Sequence, residues 1–280
     1  MSENTEKAKR LISAGSEIVG DSAGAAIGFI LGASFGGLGG AVVGAGLGKL
    51  TSKSIEKIIT DFSNRSLSKR EEVRVGATAA LAIVKIQKCL DSGYTLRDDG
   101  FFTVQDTGRS DAEEIFEGAL LKAKNEHEEK KTKFYANIFT TLSFTTAISI
   151  GEANHMLQVA EQLSYRQMCI LSLLARIHDL QGINLRDKDY ALLTGVSYEA
   201  ITLLLEVYSM YNMGLVAQKM NPSSEDAMIN NSEEILALLS WGDIVPGDLV
   251  ITTIGKRYYE AMGLLEIPDE DIKKVANCLS

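Results

Sequence analysis

The chain has 280 residues, with 25 Gly, 3 Pro, 3 Cys and a formal net charge of −9. That length accommodates one large or two small domains, and a glycine total near the average with no strict triplet excludes a collagen-like or low-complexity chain. Cys89, Cys169 and Cys278 form no CxxC and no even-numbered framework, which argues against a disulfide scaffold or metal site and suits a reducing, cytoplasmic setting, while the acidic balance argues against a general polyanion binder.

Residues 1–17 read as a polar arm carrying Lys7, Lys9 and Arg10. Eleven of the 25 glycines then fall between positions 20 and 48, and the 27 residues from Ser22 to Gly48 contain no charge. Within this run Gly20, Gly24, Gly28, Gly32, Gly36, Gly40, Gly44 and Gly48 recur at every fourth position. On a helix a four-residue step drifts slowly around the axis, so these glycines line one groove into which another backbone can pack. The run resembles the glycine-zipper segments of membrane-associating and pore-forming proteins. That resemblance implies a helix-packing element over residues 18–60, with Phe29 and Phe35 among its apolar contacts.

Insertion of this run is only marginally favourable. Nine strongly apolar residues at about −0.3 to −0.6 kcal/mol each favour it by roughly 3 to 5 kcal/mol. Ten glycines oppose helix formation at about 1 kcal/mol each in water. Packing against further copies would therefore be needed to hold the segment in a bilayer. A secretory leader is a poor fit, because Glu17 and Asp21 interrupt the approach and the run is too long. A water-soluble alternative stays open: a Gly/Ala-rich helix or hairpin, bending near Gly36-Gly37 and Gly39-Gly40, buried against the rest of the protein. Lys49, Lys53, Lys57, Arg65, Lys69 and Arg70 outnumber the arm's cations, which keeps the body of the protein cytoplasmic and makes transfer of the arm costly. Conditional or hairpin insertion follows.

Residues 61–163 read as a helical connector or bundle. Helical spacing of Val73, Ala77, Ala80 and Val84, and of Val75, Ala79, Ile83, Ile86 and Leu90, predicts one long amphipathic helix from Ser66 to about Leu90. Turn signals at Asp91-Ser92-Gly93 and Asp98-Asp99-Gly100 bracket Phe101-Phe102-Thr103-Val104 as a short hairpin. Ser110 with Glu113 predicts a capping box ahead of Ile115, Phe116, Ala119 and Leu120. Glu126-His127-Glu128-Glu129-Lys130-Lys131 lacks the second His of a zincin helix and reads as a solvated, ion-paired helix face, so no metal is expected there. Phe134, Tyr135, Ile138, Phe139 and Leu142 are spaced as a core or partner-helix stripe.

Over residues 164–280, Ser164 is expected to cap a helix carrying Met168, Ile170, Leu171, Leu174 and Ile177. Ala191, Gly195, Ser197, Ala200 and Ile201 then follow at the spacing of a helix-turn-helix, with Gly195 at the turn, Ser197 as cap, and Leu204 and Leu205 behind. Leu249 to Thr253 and Gly255 to Tyr259 supply a strand and a returning helix. Residues 164–265 thus resemble a winged-helix domain. The helix Tyr198 to Tyr208 has no basic residue and two Glu, and residues 164–280 carry 9 Lys and Arg against 16 Asp and Glu. Phosphate would be repelled, which makes a protein contact the expected role. Lys219, Lys256 and Arg257 are the cations that a nucleic-acid reading would need.

No G-x-S-x-G, phosphate loop or strand-anchored dinucleotide fingerprint occurs, so neither an enzyme nor a cofactor is expected. From His127 to Arg176 the pattern Glu128-x-x-Lys131-x-x-Phe134-Tyr135-Ala136-Asn137-Ile138, followed by Leu163-Ser164-Tyr165-Arg166-Gln167, is similar to alpha-type abortive-infection proteins of bacteria. The resemblance implies an effector that damages the cell's own membrane when triggered and carries no catalytic residue across. The expectation is a mainly α protein that oligomerises with itself, contacts lipid through the glycine run and a protein partner through the C-terminal module, and resides in the cytoplasm with inner-membrane association. A soluble helical scaffold and a winged-helix transcription regulator are the alternatives.

Overall fold

A computed structural model describes residues 3–15, 49–190, 195–219, 238 and 240–280. The fold is mainly α, with ten α-helices and one two-stranded antiparallel sheet among these residues. The chain divides into two compact units, Met1–Gln162 and Leu163–Ser280.

The N-terminal unit is built from α1 (Glu3–Ala14), α2 (Lys49–Ser63), α3 (Lys69–Asp91), α4 (Asp111–Asn125), α5 (Thr132–Phe144) and α6 (Ile150–Gln162). Helix α3 is its axis, packed by α1, α4 and α5. Val75, Gly76, Ala77, Thr78, Ala79 and Ala80 are all buried, so this stretch is covered on every side. Its small side chains make that possible, because helices can close on it from several directions without steric conflict.

The expected helix from Ser66 begins instead at Lys69. Ser68 accepts from the Glu71 N–H at 3.4 Å while the Glu71 carboxylate accepts from the Ser68 N–H at 2.7 Å, a reciprocal box that sets the start. The arm is also corrected: α1 is a folded helix that buries Ala8, Leu11 and Ile12 against its neighbours. Three apolar residues at i, i+3 and i+4 give a narrow stripe, which suffices once α2 and α3 supply the opposing surface.

Phe101 and Phe102 form no hairpin. They lie in turns, both buried, with rings edge-on at 4.9 Å, and the Phe101 carbonyl accepts from the Ala112 N–H at 2.9 Å. Burial of two adjacent aromatic rings outweighs the strand propensity of so short a segment. Ser110 caps α4 through the Glu113 N–H at 3.2 Å, but the Glu113 carboxylate accepts from Lys57 of α2 at 2.6 Å instead of returning to the cap. Only half of the expected box therefore forms.

The C-terminal unit comprises α7 (Tyr165–Arg176), α8 (Tyr198–Asn212), β1 (Val216–Gln218), β2 (Leu249–Ile251), α9 (Thr253–Ala261) and α10 (Asp269–Cys278). Helix α7 is its centre, started by a Ser164–Gln167 capping box and contacted by α8, α9, α10 and β2. Ser197 caps α8 through the Ala200 N–H at 3.1 Å, and Gly195 and Gly214 adopt φ of +81° and +72° at the turns before and after it. Strand β1 pairs with β2 in the register Val216↔Ile251 and Gln218↔Leu249.

Candidate functional site

The sequence-predicted packing and membrane residues, Gly20, Gly24, Gly28, Gly32, Gly36, Gly40, Gly44, Gly48, Phe29 and Phe35, lie outside the described residues. Their flanks are described. On one side α1 packs against α2 and α3; on the other α2 packs against α1 and α4. The α1–α3 contact is backbone to backbone. A Cβ added to Gly76 would stand 2.0 Å from the Leu11 carbonyl oxygen, and one added to Gly15 would stand 2.0 Å from the Ala77 nitrogen. Two glycines thus let the end of α1 close on α3 at a distance that no side chain permits. Among the described residues no helix is long and apolar enough to cross a membrane.

A second cluster occupies the α4–α5 junction. Glu126 and Lys131, expected on a solvated helix face, are only 6 % and 2 % exposed. Helix α4 ends at Asn125, and the chain turns inward through Glu126 before a short 3₁₀ turn at Glu129–Lys131 leads into α5. The Lys131 ammonium donates to Glu126 Oε2 at 2.6 Å and to the Glu161 carbonyl oxygen at 3.1 Å. Tyr135 donates its hydroxyl to the same Oε2 at 2.7 Å, and Glu126 Oε1 accepts the N–H groups of His127 and Glu128 at 2.9 and 3.0 Å.

Burial works to raise the Glu126 carboxyl, but hydrogen bonds from Lys131, Tyr135 and the Glu128 N–H prevail and hold it below the ordinary 4.5. Burial, then the hydrogen bond to Glu126, pushes the Tyr135 phenol far up, so it remains a protonated donor. Ligand atoms of Glu126, His127 and Glu128 come within 4.8 Å of one another. The Lys131 ammonium already balances the buried carboxylate, however, so the cluster acts as an internal clamp joining the α4–α5 junction to the end of α6. The spacing Lys131-x-x-x-Tyr135 is the sequence signal that could have revealed it, since a four-residue step brings an ammonium and a phenol to one side of the chain where the 3₁₀ turn runs into α5.

In the C-terminal unit, α8 exposes Tyr198 (89 %), Glu199, Thr202 and Leu205, so Leu205 faces solvent instead of anchoring the helix. Leu203, Leu204, Val207 and Met210 fill the inner face, and Leu205, next in sequence to Leu204, is turned away from it. Arg166 of α7 donates to both carboxylate oxygens of Glu206 at 2.8 and 2.9 Å, which spends a nearby cation internally. Lys219 follows β1 and is exposed; Lys256 is exposed and Arg257 half-buried on α9. Ala191, assigned to the helix crossing before the turn, lies outside the described residues.

A shallow depression of about 320 Å³ lies beside the start of α8 and the end of α10, lined in part by Arg186, Tyr190, Ser197 and Cys278. Burial first, then the neighbouring Glu199 carboxylate, raises the Cys278 thiol, which disfavours the thiolate a nucleophile needs. Arg186 is engaged by the Lys188 and Asp189 carbonyls and by the Tyr190 ring. Comparison of the chain with protein-family models, curated proteins and solved structures finds no match.

Proposed function

We propose that this protein is a membrane-associating, self-oligomerising effector that permeabilises or depolarises the inner membrane from the cytoplasmic side, in the manner of an abortive-infection protein. The observation that carries the reading is the register of eight glycines inside 27 uncharged residues. It is supported by the helices α1 and α2, which precede and follow the run in the chain. The C-terminal unit is read as a winged-helix-like module that contacts protein. The order of α7, α8, β1, β2 and α9 supports this, as does an α8 face of Tyr198, Glu199, Thr202 and Leu205 without a cation.

The test is carbonate-washed membrane fractionation of the full chain beside a Gly28→Ile, Gly32→Ile variant. The full chain should remain in the pellet as an oligomer and be toxic when overexpressed. The variant gains hydrophobicity but loses the groove, so its oligomers and toxicity should fall together. Undiminished oligomerisation and toxicity would refute the proposal.

The soluble-scaffold reading is favoured by one observation, the Gly15–Gly76 contact, in which glycines serve helix packing inside the N-terminal unit. It requires the full chain to stay in the supernatant without detergent at every expression level.

A further inference from the structure

We infer that the outer face of α8 pairs with the same face of a second copy of the chain, antiparallel about a two-fold axis at Leu205. The inference rests on the self-oligomerising reading above and names the partner of the C-terminal module. Helix α8 runs from Tyr198 to Asn212, and Leu205 stands at its midpoint. Its inner side, with Leu203, Leu204, Val207 and Met210, is spent on the core. The opposite side carries Tyr198, Ile201, Thr202, Leu205, Tyr208 and Asn212. Of these, Tyr198 and Leu205 are 89 % and 47 % exposed, and Ile201 and Tyr208 are half-buried. The Thr202 hydroxyl already donates to the Tyr198 carbonyl at 2.7 Å, so covering this side leaves no hydroxyl unpaired there.

Charge selects the occupant. The charged residues of α8 are Glu199 and Glu206, and both are drawn to its flank: Arg166 holds Glu206 through two hydrogen bonds, and Glu199 accepts from the Cys278 thiol of α10 at 3.8 Å. The strip between them is uncharged, within residues 164–280 that carry 9 Lys and Arg against 16 Asp and Glu. It offers no cation to phosphate, yet two acidic copies can meet on it without repulsion. A two-fold interface must be self-complementary. Antiparallel pairing meets that condition, because it sets Leu205 on Leu205 and Tyr198 of each copy against Asn212 of the other, phenol beside amide. The two Glu199 carboxylates then stand about 18 Å apart at about 1.5 Å of rise per residue, beyond the ~8 Å screening length at physiological salt. A parallel pair would bring them side by side and align the helix dipoles, which disfavours it. Helix α8 is about 22 Å long and ~10 Å wide, a footprint of roughly a few hundred Å² against the about 800 Å² per partner of a standard interface. The contact therefore joins copies that are gathered by another part of the chain, as the self-oligomerising reading supplies.

The test uses the full chain with Cys89→Ala, Cys169→Ala and Cys278→Ser, the last keeping a donor for Glu199, and one new cysteine at Leu205→Cys, Tyr198→Cys or Asn212→Cys; all three are exposed sites. Two differently tagged copies are co-expressed, and mild oxidation is applied to the membrane and supernatant fractions alike, so that the result does not depend on where the protein resides. A disulfide dimer is expected at Leu205→Cys, and for Tyr198→Cys mixed with Asn212→Cys. None is expected for Tyr198→Cys or Asn212→Cys alone, because each then lies about 21 Å from its equivalent. Adding Leu205→Glu to the mixed pair places two carboxylates at the axis and should abolish the link, with helix content unchanged in circular dichroism. Tagged copies that co-purify without a link at Leu205→Cys, or with a link at Tyr198→Cys alone, would overturn the α8 pairing and leave the self-oligomerising reading intact. Copies that do not co-purify would overturn both.

Discussion

Replacing Gly76 with Ala tests whether α1 is held on α3 by a backbone contact. The added Cβ would sit 2.0 Å from the Leu11 oxygen, 2.9 Å from the Gly15 nitrogen and 3.1 Å from the Leu11 carbonyl carbon. Restoring ordinary contact at 3.4 Å requires the end of α1 to retreat by about 1.4 Å. Two backbones lack a flexible side chain that could yield, so the cost is of the overpacking kind, about 1–3 kcal/mol. If α1 leaves altogether, the lost burial of Leu11 and Ile12 sets an upper bound of about 3–6 kcal/mol. Helix propensity acts in the opposite direction: Ala in the middle of α3 is favoured over Gly by about 1 kcal/mol. The sign of the result therefore discriminates. With α1 docked, Gly76→Ala destabilises the N-terminal unit by up to about 2 kcal/mol net. Without that contact the substitution stabilises it. Gly151→Ala is the internal control, because nothing lies within 4 Å of the added Cβ there; it should be neutral or stabilising by up to about 1 kcal/mol. Hydrogen exchange on the full chain reads the outcome locally: α1 amides should lose protection in Gly76→Ala and keep it in Gly151→Ala. Increased stability with unchanged α1 protection would refute the docking argument.

Lys131→Met should destabilise the N-terminal unit by about 3–5 kcal/mol in urea unfolding, because it strands the buried Glu126 carboxylate, and a second substitution Glu126→Leu should restore part of that loss. The pH dependence follows from the lowered Glu126 value: the native state holds this carboxyl deprotonated, so its contribution is present above the ordinary 4.5 and is lost as pH falls through the native value. Acid unfolding of Glu126→Gln should accordingly be less steep than that of the parent, and an identical profile would contradict the assignment. Ser197→Ala removes the acceptor for the Ala200 N–H at the start of α8 and should cost about 1 kcal/mol in the C-terminal unit. Lys219→Ala, Lys256→Ala and Arg257→Ala together should leave any retention of duplex DNA unchanged across a salt titration; a salt-dependent loss would revive the transcription-regulator reading.

Local chemistry was legible where one residue acts on its own backbone neighbourhood. Ser164 and Ser197 cap helices because a hydroxyl needs only the N–H three residues on, and Gly195 takes positive φ because the turn before α8 requires it. The apolar stripe Phe134, Tyr135, Ile138, Phe139 and Leu142 is buried as its period implies. What sequence reading missed depends on partners remote in the chain. Glu126 and Lys131 look solvated until Tyr135 and the Glu161 carbonyl are brought around them, and only that enclosure makes burial of a charged pair tolerable. Half of the Ser110 box is diverted because Lys57, 56 residues away, competes for Glu113.

The sequence by itself determined the mainly helical class, the caps and turns, the uneven charge and the uncharged glycine register, since each follows from neighbours along the chain. Only the tertiary structure decided that the polar arm is a docked helix, because three apolar side chains and one carbonyl mean little until α2 and α3 present a surface and Gly76 opens the space.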